Sequence, residues 1–222
     1  MAVNILERTI TNVAVIDDQP AVRKSYGYTI QNVGLEPWLQ EGPLPDSVGE
    51  ASSTIVQGAT AAVCDYKLSG RAYAKFKGAE LAADLYRKQL PALLCTQYIH
   101  AEVYQITPFR RWIPVILSPR DVNEETLIDG LRDCISELNG NIRVDRRPWR
   151  TLIHFLTEDE DFPGIYFAAI PGWAVDQVIK VRLSLLPAEI RVSVRPDYRC
   201  FARVNLGAES DIDLFVYDWE LP

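Results

Sequence analysis

The sequence VAVIDDQP, residues 13–20, places two adjacent aspartates, Asp17 and Asp18, directly after a run of apolar residues. Such a run predicts a buried β-strand, and Pro20 suits the first turn of a following helix. Neighbouring carboxylates repel one another, and burial disfavours their charged forms. We therefore expect a positive charge beside these aspartates. In isolation the pair could also be a helix N-cap and its neighbour.

Strand and helix patterns alternate over the first 140 residues of the chain. The predicted strands are 12–17, 35–40, 59–65, 91–96 and 112–118. The predicted helices are 19–34, 45–58, 77–90 and 123–140. Continuous apolar strands separated by helices are typical of a parallel sheet that is covered on both faces. The pattern predicts an α/β fold with a doubly wound, five-stranded parallel sheet.

Three of these strands end in polar residues, namely Asp17 with Asp18, Asp65, and Thr96. In a doubly wound sheet the carboxyl ends of the strands meet at the crevice where ligands bind. Three carboxylates at that position favour a divalent cation that prefers oxygen ligands. Mg²⁺ suits a site with few carboxylates, several waters and phosphoryl oxygens. The sequence therefore predicts a magnesium site.

Residues 10–140 resemble the receiver domains of bacterial two-component response regulators. The resemblance is carried by VIDD at the end of the first strand, CDYKLSG at the end of the third, GAEL at the start of the third helix and LLCT at the end of the fourth strand. It implies a flavodoxin-like sheet with strand order 2-1-3-4-5. It also implies a cytoplasmic signalling protein that is not an enzyme, with self-dephosphorylation as its only reaction beyond phosphoryl acceptance.

The resemblance assigns a role to each residue of the predicted site. Asp65 would accept a phosphoryl group from a histidine kinase or phosphotransfer protein. Mg²⁺ would be bound by Asp65, by Asp18 directly, by Asp17 through water and by the backbone carbonyl of Lys67. Thr96 would donate a hydrogen bond to the phosphoryl group and move inward on activation.

The sequence departs from the receiver pattern after the fifth strand. Receivers have a lysine followed by proline where this chain has Ser118 and Pro119. Ser118 would then complete the phosphoryl pocket with a neutral hydroxyl, and Arg120 is a possible replacement for the missing cation. Val115 stands where receivers usually have an aromatic switch residue, and the loop 66–77 is longer than usual and basic.

Two functions remain compatible with these residues. The first is a response regulator that is phosphorylated on Asp65, and the second is a degenerate receiver that binds a protein partner without phosphorylation. A phosphatase of the haloacid dehalogenase type needs an Asp-x-Asp motif, and Gln19 occupies the second aspartate position here. A homodimer is left open.

The remaining residues divide into a connection, 141–150, and a C-terminal domain, 151–222, of α+β or β-rich type. Its predicted strands are 151–157, 164–170, 200–206 and 213–221. Residues 172–187 fit both a helix and a strand, and we predict a helix that ends at Pro187. The domain matches no family, and an output through an unidentified protein partner is expected. The acidic run 158–161 is most simply a solvated turn.

The composition excludes several classes of function. The net charge is −7, and acidic side chains outnumber basic ones in both halves, which disfavours nucleic-acid binding. No apolar run is long enough to cross a membrane, and the N-terminal sequence lacks a signal-peptide pattern. The four cysteines are scattered and are expected to be reduced core thiols of a cytosolic protein.

Overall fold

The computed structural model describes residues 2–97 and 103–222, without the side chains of Arg71, Val103 and Tyr104. The chain divides into two compact units. The first comprises Met1–Gln97 and Trp112–Asn141, and the second comprises Tyr98–Arg111 and Ile142–Pro222. The chain therefore enters the second unit twice. The predicted domain bounds, 10–140 and 151–222, remain a prediction about independent folding.

The first unit contains a five-stranded parallel sheet in the order β4-β3-β5-β6-β7. Its strands are β3 (Asn12–Ile16), β4 (Glu36–Leu39), β5 (Ala61–Asp65), β6 (Ala92–Cys95) and β7 (Ile116–Leu117). Counted along the chain, this is the order 2-1-3-4-5, so the predicted doubly wound α/β fold is confirmed. β7 is shorter than the predicted strand 112–118. Pro114 lacks a backbone N–H for the ladder, which explains the late start.

Four helices accompany this sheet: α1 (Pro20–Asn32), α2 (Val48–Gly58), α3 (Gly78–Arg87) and α5 (Glu124–Leu138). Each lies within the range that the sequence predicts. Buried residues of α1 and α5, such as Ile30 and Leu131, share a core cluster with Val13, Val15 and Leu93 of the strands. A short antiparallel hairpin, β1 (Val3–Ile5) and β2 (Arg8–Ile10), was not predicted.

The second unit contains a five-stranded antiparallel sheet in the order β10-β9-β8-β11-β12. Its strands are β8 (Trp149–Glu158), β9 (Ile165–Ile170), β10 (Ala174–Arg182), β11 (Arg199–Val204) and β12 (Val216–Glu220). Two helices, α4 (Val103–Arg110) and α6 (Ala188–Arg191), also belong to it. The prediction of a separate β-rich domain is confirmed.

The prediction of a helix over residues 172–187 was wrong. These residues form β10, which pairs antiparallel with β9, followed by a 3-10 turn at Leu183–Leu185. Ile179 and Val181 are buried in the core, whereas Val178 is 49% exposed. The side chains therefore alternate with the period of a strand, and pairing with β9 supplies hydrogen bonds that sequence periodicity does not reveal.

All four cysteines are buried and free, in agreement with the expectation of core thiols. Cys64 directly precedes Asp65, and Cys95 directly precedes Thr96. Cys200 lies in the core of the second unit. No helix among the described residues is long and apolar enough to cross a membrane.

Candidate functional site

The strand order places the predicted polar residues at one end of the parallel sheet. β3 and β6 are the two neighbours of β5, so the residues after these strands flank Asp65 at the end of β5. Asp17 and Thr96 are each 2% exposed, although both are polar. Buried polar groups are normally hydrogen-bonded or functional. This end of the sheet is therefore the candidate site.

Asp65 is a carboxyl group whose charged form is disfavoured. Burial and, next in size, the nearby negative charge of Asp17 together raise the pKa of Asp65 to about 7. The backbone N–H of Lys67 donates a hydrogen bond to Oδ2 at 2.8 Å, which opposes this effect. A carboxyl group with a pKa near neutrality, beside other carboxylates, is typical of a functional site.

Asp17 lies beside the positive charge that its sequence environment predicts. The guanidinium of Arg23, itself 8% exposed, donates a hydrogen bond to the backbone carbonyl of Asp17. Burial still raises the pKa of Asp17 to about 6, while the Gln19 amide and the Arg23 charge lower it. The sequence analysis missed Arg23. Its position in the first turns of the predicted helix α1 was the available signal.

The two aspartates are not the N-cap of α1 and its neighbour. The N-cap residue is Gln19, whose side chain makes no capping hydrogen bond. Asp17 Oδ1 instead accepts a hydrogen bond from the backbone N–H of Gln19 at 2.7 Å. Asp17 therefore forms a local turn before the helix and does not cap it.

Asp18 is bound by the long loop 66–77 that follows β5. Its Oδ2 accepts a hydrogen bond from the backbone N–H of Gly70 at 2.6 Å. A Cβ atom at position 70 would lie 2.3 Å from the same oxygen, so only glycine allows this approach. Tyr73 of this loop donates its hydroxyl to the backbone carbonyl of Gln40, the residue after β4, at 2.8 Å. This hydrogen bond attaches the loop to the end of β4.

The start of α3 packs directly on the backbone of Asp65. Gly78 donates its N–H to the carbonyl of Tyr66 at 2.9 Å. A Cβ atom at position 78 would lie 1.8 Å from the backbone oxygen of Asp65. The glycine of the GAEL motif is therefore required by the close approach of α3 to the end of β5.

Thr96 and Ser118 lie at the ends of the next two strands. The Thr96 N–H donates to the carbonyl of Leu117 at 2.9 Å, which continues the ladder between β6 and β7. Ser118 Oγ accepts a hydrogen bond from the backbone N–H of Arg120 at 3.3 Å, and Arg120 is exposed. The Ser118 hydroxyl thus contributes to a turn.

Lys77 is a cation that the sequence analysis did not consider. Its Nζ donates to the hydroxyl of Tyr66 at 2.8 Å and lies 4.9 Å from the centre of that ring. Tyr66 directly follows Asp65, and Lys77 directly precedes Gly78. Lys77 is therefore held on the side chain of the residue that follows Asp65.

The donors at this site are of the type that Mg²⁺ prefers, since they are carboxylates whose raised pKa values a cation would lower. Among the described residues, however, no three side chains of His, Cys, Asp or Glu are already arranged as a metal site. The Asp18 carboxylate accepts a hydrogen bond from the Gly70 N–H, and the Asp65 carboxylate accepts one from the Lys67 N–H. Metal binding would therefore require some rearrangement of these carboxylates.

No protein-family model and no curated protein matches the chain. Several solved structures are similar to part of the chain. One is a response regulator receiver domain protein from Clostridium thermocellum, with 12% identity, a TM-score of 0.43 and coverage of 59% of this chain and 98% of that chain. A CheY-like receiver domain protein from Methanospirillum hungatei JF-1 has 15% identity, a TM-score of 0.43 and the same two coverages, 59% and 98%.

A third is the complex of histidine kinase ThkA with the response regulator protein TrrA, with 20% identity, a TM-score of 0.42 and coverage of 57% of this chain and 100% of that chain. These three similarities each cover between 57% and 59% of this chain.

Proposed function

We propose that this protein is a response regulator whose first unit accepts a phosphoryl group on Asp65. The donor would be a histidine kinase or a phosphotransfer protein, and the output would pass through protein contacts of the second unit. The observation that supports this most is the group of carboxylates at the ends of β3 and β5. The pKa of Asp65 is raised to about 7 by burial and by Asp17, and that of Asp17 to about 6 by burial and by Asp18.

In the proposed reaction, a carboxylate oxygen of Asp65 attacks the phosphorus atom of a phosphohistidine. The new O–P bond forms while the N–P bond breaks, and the imidazole of the donor is the leaving group. Only the ionised carboxylate is a nucleophile, and a pKa of about 7 leaves Asp65 partly protonated at neutral pH. A cation at the site would increase the reactive fraction.

Asp17, Asp18, Asp65 and the Lys67 carbonyl would hold Mg²⁺. When bound, Mg²⁺ supplies positive charge that keeps these carboxylates ionised and offsets negative charge on the transferring oxygens. The Lys67 amide on Oδ2 fixes the orientation of the Asp65 carboxylate. The hydroxyl of the buried Thr96 would donate to a phosphoryl oxygen. Hydrolysis of the acyl phosphate would be the only further reaction.

The second candidate is a degenerate receiver that binds a protein without phosphorylation. Two contacts favour it. The Gly70 amide already binds the Asp18 carboxylate, and the Ser118 hydroxyl accepts the Arg120 amide. These amides compete with a metal ion or a phosphoryl group for the Asp18 carboxylate and the Ser118 oxygen, while the Ser118 hydroxyl keeps its own O–H donor.

Intact-mass measurement distinguishes the two candidates. The protein is incubated with Mg²⁺ and a small phosphodonor such as phosphoramidate, and separately with beryllofluoride. We expect one added phosphoryl group in the wild type and none in Asp65→Asn. Asp46→Asn is the matched control, because Asp46 is an exposed aspartate paired with Lys75.

Absence of an adduct, together with a melting temperature that beryllofluoride leaves unchanged, would contradict phosphorylation and favour the degenerate receiver. An adduct that persists in Asp65→Asn would instead place the acceptor elsewhere.

A further inference from the structure

Loop 66–77, between β5 and α3, is closed into a compact segment of the first unit. Leu68 and Tyr73 are 1% and 5% exposed. The N–H of Ala74 donates to the carbonyl of Leu68 at 2.9 Å, which joins the two sides of the loop. The 3-10 turn Gly70–Ala72 connects these two sides and ends at an exposed alanine. The turn therefore lies at the surface and can move while both of its ends stay packed.

Tyr73 anchors the C-terminal side of the turn to other parts of the first unit. Its hydroxyl donates to the Gln40 carbonyl at 2.8 Å, and its own carbonyl accepts from the Leu44 N–H at 2.7 Å. The Arg23 guanidinium lies 5.5 Å from the centre of its ring. These three contacts do not involve Asp18, so the anchor is independent of the contact that the turn makes with the site.

Gly70 is the residue of the turn that contacts the candidate site. Its backbone nitrogen lies 2.6 Å from Asp18 Oδ2, a short distance that is typical of a hydrogen bond to a charged acceptor. Ala72, at the other end of the turn, has a φ of 54°, in the left-handed region that alanine rarely adopts. One strong hydrogen bond therefore keeps the turn on Asp18, and one strained residue favours its release.

The Asp18 carboxylate is directed at Gly70 in this arrangement. A Cβ atom at position 70 would lie 2.3 Å from Asp18 Oδ2 and 2.9 Å from its Cγ. Among the described residues, the carboxylates of Asp17, Asp18 and Asp65 do not form a group arranged to hold a metal ion. The Gly70 contact thus fixes one of the three carboxylates in an arrangement that is not a metal site.

We infer that Gly70 is a latch on Asp18, which lowers the affinity of the site for a divalent cation and is released when the cation binds. This inference rests on the proposed function, in which Asp18 is a metal ligand. The Gly70 N–H and the cation compete for the same carboxylate, so the free energy of the hydrogen bond is subtracted from that of binding. The conformation of the turn Gly70–Ala72 therefore depends on the state of the metal site.

Gly70→Ala in the full chain removes the latch and keeps the fold. The three atoms nearest to the new Cβ all belong to the flexible Asp18 side chain, which rotates away at little cost. Gly49→Ala is the matched control, because nothing lies within 4 Å of a Cβ at that position of α2. Binding of Mg²⁺ is measured by calorimetry for the wild type and both variants. Amide hydrogen exchange of the wild type is measured by NMR with and without Mg²⁺.

We expect Gly70→Ala to bind Mg²⁺ about tenfold more tightly than the wild type, because a charge-assisted hydrogen bond no longer competes. Gly49→Ala should match the wild type. In the wild type, Mg²⁺ should accelerate exchange of the Gly70 N–H but not of the Gly78 N–H, which donates to the Tyr66 carbonyl. This second measurement needs no variant.

Equal or weaker Mg²⁺ binding by Gly70→Ala would overturn the inference, and weaker binding would show that Gly70 supports Asp18 as a ligand. Exchange of the Gly70 N–H that saturating Mg²⁺ does not accelerate would also overturn it. Both results leave the metal site of the proposed function in place. Absence of Mg²⁺ binding in all three proteins would refute that site and the latch with it.

Discussion

Removal of the Asp65 charge should change how the stability of the protein depends on pH. The folded state raises the pKa of Asp65 from 3.8 to about 7, mainly through burial. The folded protein therefore binds a proton more tightly than the unfolded chain does. Protonation of Asp65 then stabilises the fold fully below about pH 4, and this stabilisation is lost as the pH rises through about 7.

The size of the effect follows from the shift. Three pH units correspond to about 4 kcal/mol, at about 1.4 kcal/mol per unit. The negative charge of Asp17 is one cause of this shift in the pKa of Asp65. Solvent that still reaches the site weakens the repulsion between the two carboxylates. We therefore expect the free energy of unfolding to fall by about 1–3 kcal/mol between pH 4.5 and pH 8 in the absence of metal.

The assay is urea unfolding of the wild type, Asp65→Asn and Asp46→Asn in a chelating buffer at several pH values. Asp65→Asn should lose the part of the fall that belongs to Asp65 and should exceed the wild type in stability at pH 8, while Asp17, whose pKa is raised to about 6, keeps its own part. The two proteins should be nearly equal at pH 4.5. Asp46→Asn, whose side chain is 73% exposed, should follow the wild type. Parallel stability curves for the wild type and Asp65→Asn would show that Asp65 is not in a desolvated, negatively charged environment.

Four further changes test other parts of the site. Mg²⁺ at a hundredfold excess over its dissociation constant should stabilise the wild type by about 2.7 kcal/mol in thermal unfolding, and Asp18→Asn should remove most of this gain. Gly78→Ala should reduce the free energy of unfolding by about 1–3 kcal/mol, because the new Cβ would meet the Asp65 carbonyl. Ser118→Lys should tighten beryllofluoride binding by about tenfold, since a charge-assisted hydrogen bond contributes about 1.5–3 kcal/mol. Residues 1–142 should form the parallel sheet alone, while residues 103–111 lose the hydrogen-exchange protection that they have in the full chain.

Each of these changes has a control or a contrary outcome. Gly49→Ala is the control for Gly78→Ala, because nothing lies within 4 Å of a Cβ at position 49 of α2, and it should be neutral or stabilising. A melting temperature that does not respond to Mg²⁺ would count against the metal site. Unchanged beryllofluoride affinity in Ser118→Lys, with weaker binding in Arg120→Ala, would identify Arg120 as the replacement cation. An insoluble fragment 1–142 would show that the units do not fold separately.

The parallel sheet was predictable because its strands are continuous apolar runs between amphipathic helices. The hairpin β1–β2 was not, because its turn consists of Leu6 and Glu7, with φ angles of 46° and 65°. Such a turn normally contains Asn and Gly, so the sequence carries no turn signal. Helix α4 was also missed. It contains Pro108 and is stabilised by tertiary contacts such as the pair of Arg110 and Asp213.

The carboxylates of the site were predictable because they follow apolar strands directly. Their partners were not. Gly70 reaches Asp18 across 52 residues of sequence. The position of Arg23 near the start of the predicted helix indicated a nearby cation but not that it binds the backbone carbonyl of Asp17. The consequence of the Ser118 substitution also depended on the structure. The Ser118 oxygen accepts a hydrogen bond from the Arg120 N–H, a contact that the sequence does not reveal, and its part in the phosphoryl pocket stays a prediction.

The contacts of the carboxylates also explain why adjacent aspartates at a buried strand end are compatible with a stable fold. A backbone N–H from Gln19, Gly70 or Lys67 donates to each of Asp17, Asp18 and Asp65, respectively. These hydrogen bonds and the Arg23 guanidinium stabilise the charged forms, but the pKa values of Asp17 and Asp65 remain raised. The hydrogen bonds and the Arg23 charge therefore offset only part of the cost of ionising Asp17 and Asp65. Fixed orientation combined with unbalanced negative charge is what a site for a cation and a phosphoryl group requires, because binding of the cation then relieves repulsion that the fold maintains.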